Sequence, residues 1–302
     1  MEKAILIMYA ETNIHAGAGS SISHIDLPIQ RERATNLPII QASSIKGVIR
    51  TFSKGKLDDK YIACLFGPGD DLNSNDNELK EKLRNPSFGG GCISFTDANV
   101  LLFPVRSFKG VVAWITCPLV LKRLRKYCEM AGIEGVVDVN LDDEEEVLVP
   151  ENSGVKWDGR VLLEEYFFKV GNGDVSELAN WLHGILSNQG CEMAEYIKRN
   201  LVVVSDDWFK YFCENCTEVI TRIRINPDTG TVYPGALWNE ESLPSETVLW
   251  SFILADKPKL NICELNTTQA MDKLVELVDK KVIQIGGDST IGKGLVRLGI
   301  LR

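Results

Sequence analysis

No run of about 18 apolar residues, the length a helix needs to cross a bilayer, occurs in this 302-residue chain, so no membrane span is expected. The most apolar candidate, residues 111–121, is interrupted by Pro118. The opening MEKAILIMYAET carries too short an apolar run for a secretory leader and reads as a first strand. Histidine is scarce: only His15, His24 and His183 are present. Of the eight cysteines, at positions 64, 92, 117, 128, 191, 213, 216 and 263, only Cys213 and Cys216 form a C-x-x-C, with no second pair at ligand spacing. That argues against a closed zinc site and against a disulfide framework, and the cysteines read as reduced thiols of a cytoplasmic protein. Positive charge is not in surplus either. A net charge of −9 rules against a wholly basic nucleic-acid coat.

What is present is 44% apolar composition, enough for a substantial core in one large domain or two smaller ones. The charge is unevenly spread. Residues 138–146, DVNLDDEEE, hold six acids and no base, whereas residues 29–54 hold five bases against one acid, and so do residues 280–302. An acidic protein with two basic stretches can offer one face to a polyanion.

Most of the functional information lies in residues 12–50. The run HAGAGSSIS has two glycines and leaves only Ile22 to bury, so it is a contact segment rather than a core element. Asp26 stands alone among Ile25, Leu27 and Pro28, and Arg31, Glu32 and Arg33 follow. Ser43 and Ser44 precede Ile45, Val48, Ile49 and Phe52 at i, i+3, i+4, i+7 spacing, which predicts a serine-capped amphipathic helix. Lys46, Arg50 and Lys54 stripe its other face. A helix N-terminus beside such a stripe suits an anion such as phosphate, while a plain solvated face is the simpler account.

Elsewhere the pattern is coarser. Residues 4–10 read as a strand buried on both faces, and residues 54–91 as a polar surface loop with one short helix. Strands are expected at 92–103, 111–116, 201–204 and 247–255, and a helix from Pro118 to about position 130. The acidic run ends in a flexible loop through Trp157. A helix at 175–187 explains Trp181 and His183 without a cofactor, Ser205 caps another, and Thr267 caps the last. Residues 217–226 alternate as a strand with Arg222 and Arg224 on one face. The following VYPGALWNEESLPSE reads as an exposed excursion carrying Trp238, Glu240, Glu241, Leu243 and Pro244. Near the end, GDSTIGK at 287–293 imitates a nucleotide-binding P-loop. Gly294 lacks the hydroxyl that magnesium needs there, and the segment leads into a strand rather than a helix, so no nucleotide cofactor is expected. Gly286, Gly287, Gly292 and Gly294 with Lys293 can still cradle phosphates through backbone N–H groups.

The blocks HAGAGSS, DLPIQRER and PIIQASSIKGVIR, in this order and spacing, resemble the N-terminal signature of the backbone RAMP subunits of type III-B (Cmr) CRISPR complexes. The resemblance continues in FTDANVLLFPV and WITCPLVLKRL. With the order of elements at the two chain ends, it implies an α+β fold, a ferredoxin-like (RRM-type) βαββαβ core in a single domain over residues 1–302. Long insertions fall at about 55–91 (surface loop), 130–216 (helical and acidic) and 226–247. The last would be a projecting thumb with Trp238 and Leu243 that wedges into a guide–target duplex and touches the neighbouring subunit; the alternative is that Trp238 folds back onto the core.

The implied activity is cleavage of single-stranded target RNA at regular intervals along a bound CRISPR RNA. Asp26 matches the family's catalytic aspartate, which acts with a divalent metal, Mg or Mn. Glu240 and Glu241 correspond to thumb residues implicated in cleavage or in contacts between subunits, and His15 and His24 are weaker acid–base candidates. RNA contacts are expected from Ser43, Ser44, Lys46, Gly47, Arg50, Arg31, Arg33 and the glycine loop with Lys293. The implied partners are CRISPR RNA, target RNA, further copies in a helical filament and other Cmr subunits. A non-catalytic scaffold of such a complex and an unrelated phosphate-binding metabolic enzyme are the competing readings.

Overall fold

The computed structural model describes residues 1–21, 24–75, 77–85, 89–141, 143–260 and 262–302. Ile22, expected to be the buried residue of the glycine-rich segment, and Asp142 of the acidic run lie outside the described residues. The first strand, β1 (Glu2–Ala10), is buried at every position from Ala4 to Ala10, as its unbroken apolar run requires. A long segment then leads to β2 (Ile39–Ile40) and α1 (Ala42–Ser53), followed by α2 (Asp59–Phe66) and α3 (Asn77–Arg84). Next come β3 (Ile93–Phe95), β4 (Ala98–Ser107), β5 (Val111–Thr116) and α4 (Pro118–Ala131). The middle of the chain supplies β6 (Glu146–Val149), β7 (Arg160–Leu163), β8 (Tyr166–Asp174), α5 (Ser176–Asn188), α6 (Ala194–Arg199), β9 (Leu201–Val203) and α7 (Asp206–Asn215). The last part is β10 (Glu218–Ile225), β11 (Val232–Ser242), β12 (Val248–Ala255), α8 (Thr267–Val278), β13 (Val282–Gln284) and β14 (Leu295–Leu301).

Twelve strands share one sheet in the order β13-β14-β1-β12-β4-β5-β9-β6-β8-β7, with β2 beside β4 and β3 beside β12. β1 runs antiparallel to both β12 and β14, so the two ends of the chain meet side by side near the β13 edge of the sheet. Ser107 of β4 also pairs with Leu163 of β7, which closes β4, β5, β9, β6, β8 and β7 into a barrel. Tyr127 of α4 packs its ring on Trp250 and Phe252, buried residues on one face of β12. β10 and β11 form a separate two-stranded hairpin.

Several boundaries differ from the sequence reading. The segment 55–91 is not a surface loop: α2 buries Ile62 to Phe66, because its apolar run is capped by Asp58 and turned inward. The cysteines are not all reduced. Cys64 of α2 is disulfide-bonded to Cys263, 199 residues away, a pairing no spacing rule could reveal; the other six are free. The segment 130–216, expected as a helical and acidic insertion, supplies four of the six barrel strands as well as α5, α6 and α7. The N-cap of α8 is Asn266, in a capping box with Gln269, one residue before the expected Thr267. The projecting element spans both strands of the hairpin, 218–242, and VYPGALWNEES is itself a strand. Leu243, expected at the thumb, is fully buried beside Ile14. Trp238 is half-buried.

Removal of residues 236–245 is therefore expected to unfold the protein, since it takes out Leu243 and the buried end of β11; Leu243→Ala alone should cost about 2–5 kcal/mol. Replacing the tip, residues 226–231, by an Asn-Gly turn should leave the melting temperature of the monomer nearly unchanged in circular dichroism.

Candidate functional site

Residues 14–31 leave β1, turn back on themselves and lie along the base of the hairpin. Ile14 bridges Leu243, Gly17 bridges Ile29, and Leu27 runs parallel to Glu240. The Leu27 N–H donates to Asn239 O at 3.0 Å and the Glu241 N–H to Leu27 O at 3.0 Å. The contact segment is thus an extra ladder beside β11. Asp26 sits in it, exposed. Its Oδ2 accepts from the Asn239 N–H at 2.8 Å, and its other carboxylate oxygen has no hydrogen-bond partner among the described residues. Asn239 itself is steadied by Thr221, whose hydroxyl donates to its Oδ1 at 2.8 Å. Exposed His24 contributes only its carbonyl, 3.5 Å from Asn239 Nδ2.

Strand alternation separates the two glutamates that sequence adjacency groups together. Glu241 points to the Asp26 side, only 2% exposed, and is filled by three donors: Arg31 at 2.5 Å, Thr217 Oγ1 at 2.8 Å and the Ile29 N–H at 3.0 Å. Arg31 also donates to Cys213 O at 3.1 Å, so it is a structural clamp rather than a phosphate contact. Glu240 points to the opposite side, where Lys293, Arg222 Nε at 2.7 Å and Asp288 surround it. Lys293, expected on an open phosphate cradle, is 7% exposed and also donates to Ser242 Oγ at 2.7 Å. Burial alone would raise the Glu240 carboxyl, but the hydrogen bonds of Asp288, Lys293 and Arg222 outweigh it and hold it at about 2. Asp288 is raised instead, first by its hydrogen bond to Glu240 and then by burial. Neither glutamate stands on an exposed thumb; each is committed to an ion pair.

The glycine loop packs against the start of the same segment. The Gly287 N–H donates to His15 O at 2.9 Å and the Gly294 N–H to Asn13 O at 2.8 Å. A Cβ on Gly286, whose φ is +91°, would come within 2.5 Å of His15 O, so only glycine allows this approach. Gly292 ends a single 3-10 turn at Ser289–Ile291. His15 is held by Nδ1, 2.6 Å from Glu241 O. A carbonyl only accepts, so Nδ1 carries the proton, and Nε2 faces Gly17.

The start of α1 departs most from expectation. Gln41, not a serine, occupies the N-cap, with no side-chain cap of its own, and Asp97 Oδ1 accepts the Ala42 N–H at 2.8 Å from across the fold. Ser43 and Ser44 lie in the first turn and Gly47 on the open face. The basic stripe is internally satisfied. Lys46 donates to Ile93 O at 2.9 Å, and burial lowers its ammonium below its ordinary range. Arg50 binds Gly67 O and Asp71, which Lys54 reaches at 2.9 Å. Exposed Arg33, by contrast, makes no ion pair among the described residues.

Among the described residues no group of three or more His, Cys, Asp or Glu side chains could hold a metal ion. Asp26 alone does not make a metal centre. Sequence reasoning missed Asn239, Arg222, Thr217, Ser242 and Asp288; the alternation of residues 217–226 had put Arg222 on the correct face, but nothing named its partner.

Glu240→Gln should destabilise the protein by about 3–5 kcal/mol, because Lys293 and Arg222 lose their buried counter-charge. The native carboxyl titrates at about 2 against an ordinary 4.5, so this contribution is complete above the ordinary value and is lost as pH falls towards 2. Asp288 works in reverse: its raised carboxyl favours the fold below its ordinary 3.8, and that contribution disappears as pH rises through the native value. Urea unfolding of wild type, Glu240→Gln and Asp288→Asn across acid and neutral pH measures both signs.

With this geometry in hand, comparison with known proteins is informative. The RAMP superfamily profile matches residues 7–297. The CRISPR system Cmr endoribonuclease Cmr4 of Pyrococcus furiosus is 37% identical over 299 residues, covering 98% of this chain and 95% of that protein. The crystal structure of oligomeric Cmr4 from Pyrococcus furiosus superposes with a TM-score of 0.73, covering 99% of this chain and 98% of that one at 30% identity. The same fold, at 21% identity and a TM-score of 0.70, occurs in a chain of the cryo-EM structure of the type III-B Cmr-beta complex bound to cognate target RNA, covering 99% of this chain and 97% of that one. The chain belongs to the RAMP superfamily and, within it, groups with the Cmr4 proteins.

Proposed function

We propose that this protein is the CRISPR-RNA-binding backbone subunit of a type III-B effector complex, that it polymerises along the guide, and that it cleaves complementary single-stranded target RNA at regular intervals in the cytoplasm. The observation that carries the reading is the 37% identity, end to end, with an endoribonuclease named Cmr4. The strand order β14-β1-β12-β4, all antiparallel, with α1 and α8 as the crossovers, supports a ferredoxin-like core within the large sheet.

The hairpin supports the filament. Val219, Ile220, Ile223, Ile225, Val232 and Leu237 are all more than 40% exposed on a two-stranded ribbon. A ribbon of that size is marginal alone and calls for cover, which a neighbouring copy and the RNA duplex supply. Guide phosphates run past the open part of the α1 start, Ser43, Ser44 and Gly47, with Arg33, which has no ion pair among the described residues, as a cation for them. Lys46, Arg50, Arg31 and the glycine loop with Lys293 shape that surface from behind.

Cleavage rests on Asp26. The Asn239 N–H fixes one carboxylate oxygen and leaves the other to take the proton of, or orient, a target 2′-hydroxyl, once the hairpin has unstacked the adjacent nucleotide. A divalent ion, Mg or Mn, would draw its remaining oxygen ligands from RNA and water, because Asp26 belongs to no metal-binding cluster among the described residues. The commitment of Glu240 and Glu241 to ion pairs favours one second reading, a guide-binding scaffold without its own nuclease activity.

Asp26→Ala separates the two. Its effect on stability should be small, guide binding should persist, and target cleavage in assembled complexes should fall by roughly two orders of magnitude or more. Attack by the 2′-hydroxyl gives 5′-hydroxyl and 2′,3′-cyclic phosphate ends, identified by mass spectrometry of the products; undiminished cleavage by the variant would leave the scaffold reading. A chelator added to the wild-type assembly should abolish cleavage if the ion is required.

A further inference from the structure

The barrel carries a second surface of distinctive chemistry, on the outer side of β7 and β8. Val161, Leu163 and Phe168 point inward and are buried. Their neighbours Leu162 and Phe167 point outward as register partners, and one step along the same face Arg160 and Lys169 are partners too. Phe167 is 60% exposed. Beside it the β4–β5 turn and the 157–160 turn bring together Phe108, 68% exposed, and Trp157, 54% exposed, with ring centroids 5.5 Å apart. These three rings line one shallow depression with Lys109 and Arg160.

We propose that this face is a stacking platform for a single-stranded nucleic acid. Three large rings exposed together mark a recognition surface rather than a core remnant. The cations decide its occupant. Lys156, Arg160 and Lys169 make no ion pair among the described residues, and the Lys109 ammonium donates a hydrogen bond to Lys156 O. Glu164 is held by Arg106 at 2.9 Å, and the remaining acids near those four cations are Asp158, Glu165 and Glu146, the register partner of Lys169 on β6. Ring faces accept bases of any sequence while cations one strand step away, roughly 6.7 Å for two residues, take the phosphates. Bases inside a duplex have no free face, so the ligand is unpaired. None of these residues belongs to the Asp26 loop or the hairpin, so the strand it takes is an unpaired flank of the target RNA. That choice of strand rests on the function proposed above; the platform itself does not.

Photocrosslinking of a short single-stranded RNA containing 4-thiouridine, with the matching DNA and an RNA duplex as further probes, tests this on the whole protein with and without guide. Single-stranded probes are expected to crosslink within residues 157–169, and Trp157→Ala with Phe167→Ala to remove those adducts while sparing any elsewhere. Each ring lost should weaken binding by about tenfold, and Arg160→Glu with Lys169→Glu should lower the salt slope by about two phosphates. RNA preferred over DNA supports the target-flank assignment; equal binding supports the platform and overturns that assignment. Crosslinks confined to other segments, equal capture of the duplex, or protein–protein crosslinks from another subunit at Trp157 and Phe167 in the assembled complex would overturn the platform. Loss of guide binding with adducts at 157–169 intact would sink the proposed function alone.

Discussion

Two consecutive carboxylates buried on opposite faces of β11 set the terms for the rest of the site. A buried carboxylate is tolerated only with a counter-charge and donors around it. Glu241 finds them in Arg31, Thr217 and the Ile29 N–H, and Glu240 in Arg222 and Lys293. These partners come from the N-terminal segment, the first strand of the hairpin with the residue just before it, and the C-terminal glycine loop. The base of the hairpin can therefore close only when both ends of the chain have come together where β1 pairs with β14. Asp26 inherits its position from that closure, because Leu27 and Asn239 are tied to the same strand.

The sequence disclosed what depends on local pattern. The buried run of β1, the apolar period of α1, the Pro118 start of α4 and the Ser205 cap of α7 each follow from a few neighbouring residues, and the structure has them. Partners at long range were invisible. Periodicity showed that Lys46 and Arg50 share a helix face, but not that Ile93 O and Asp71 wait opposite, 47 and 21 residues away. Lys293 looked like a phosphate ligand because Glu240, 53 residues earlier, could not be placed against it. Pro234 and Gly235 made β11 look like an open excursion. On the far end of an exposed hairpin, proline and glycine do not break a strand that has few ladder partners to lose.

The same reasoning separates the surfaces by kind. Residues with charge on the page but partners in space, Lys46, Arg50, Arg31 and Lys293, build the scaffold. Those that remain exposed with groups still uncommitted, the second oxygen of Asp26, Arg33, the apolar hairpin and the aromatic face of the barrel, are where the protein has free energy still to gain from other molecules. The barrel belongs to the large sheet, and the separate hairpin is tied to the segment that leaves β1 through the bridges Ile14–Leu243 and Leu27–Glu240.

The bond between Cys64 and Cys263 gives that framework a topological property as well. It turns most of the chain, from α2 to the segment before α8, into one covalent ring, with β1 and α1 leaving it on one side and α8 to β14 on the other. A single peptide-bond break anywhere inside the ring, in the acidic run or the hairpin tip alike, releases no fragment. The two pieces stay one molecule until a reductant reaches a cysteine pair of which one member, Cys64, is only 1% exposed.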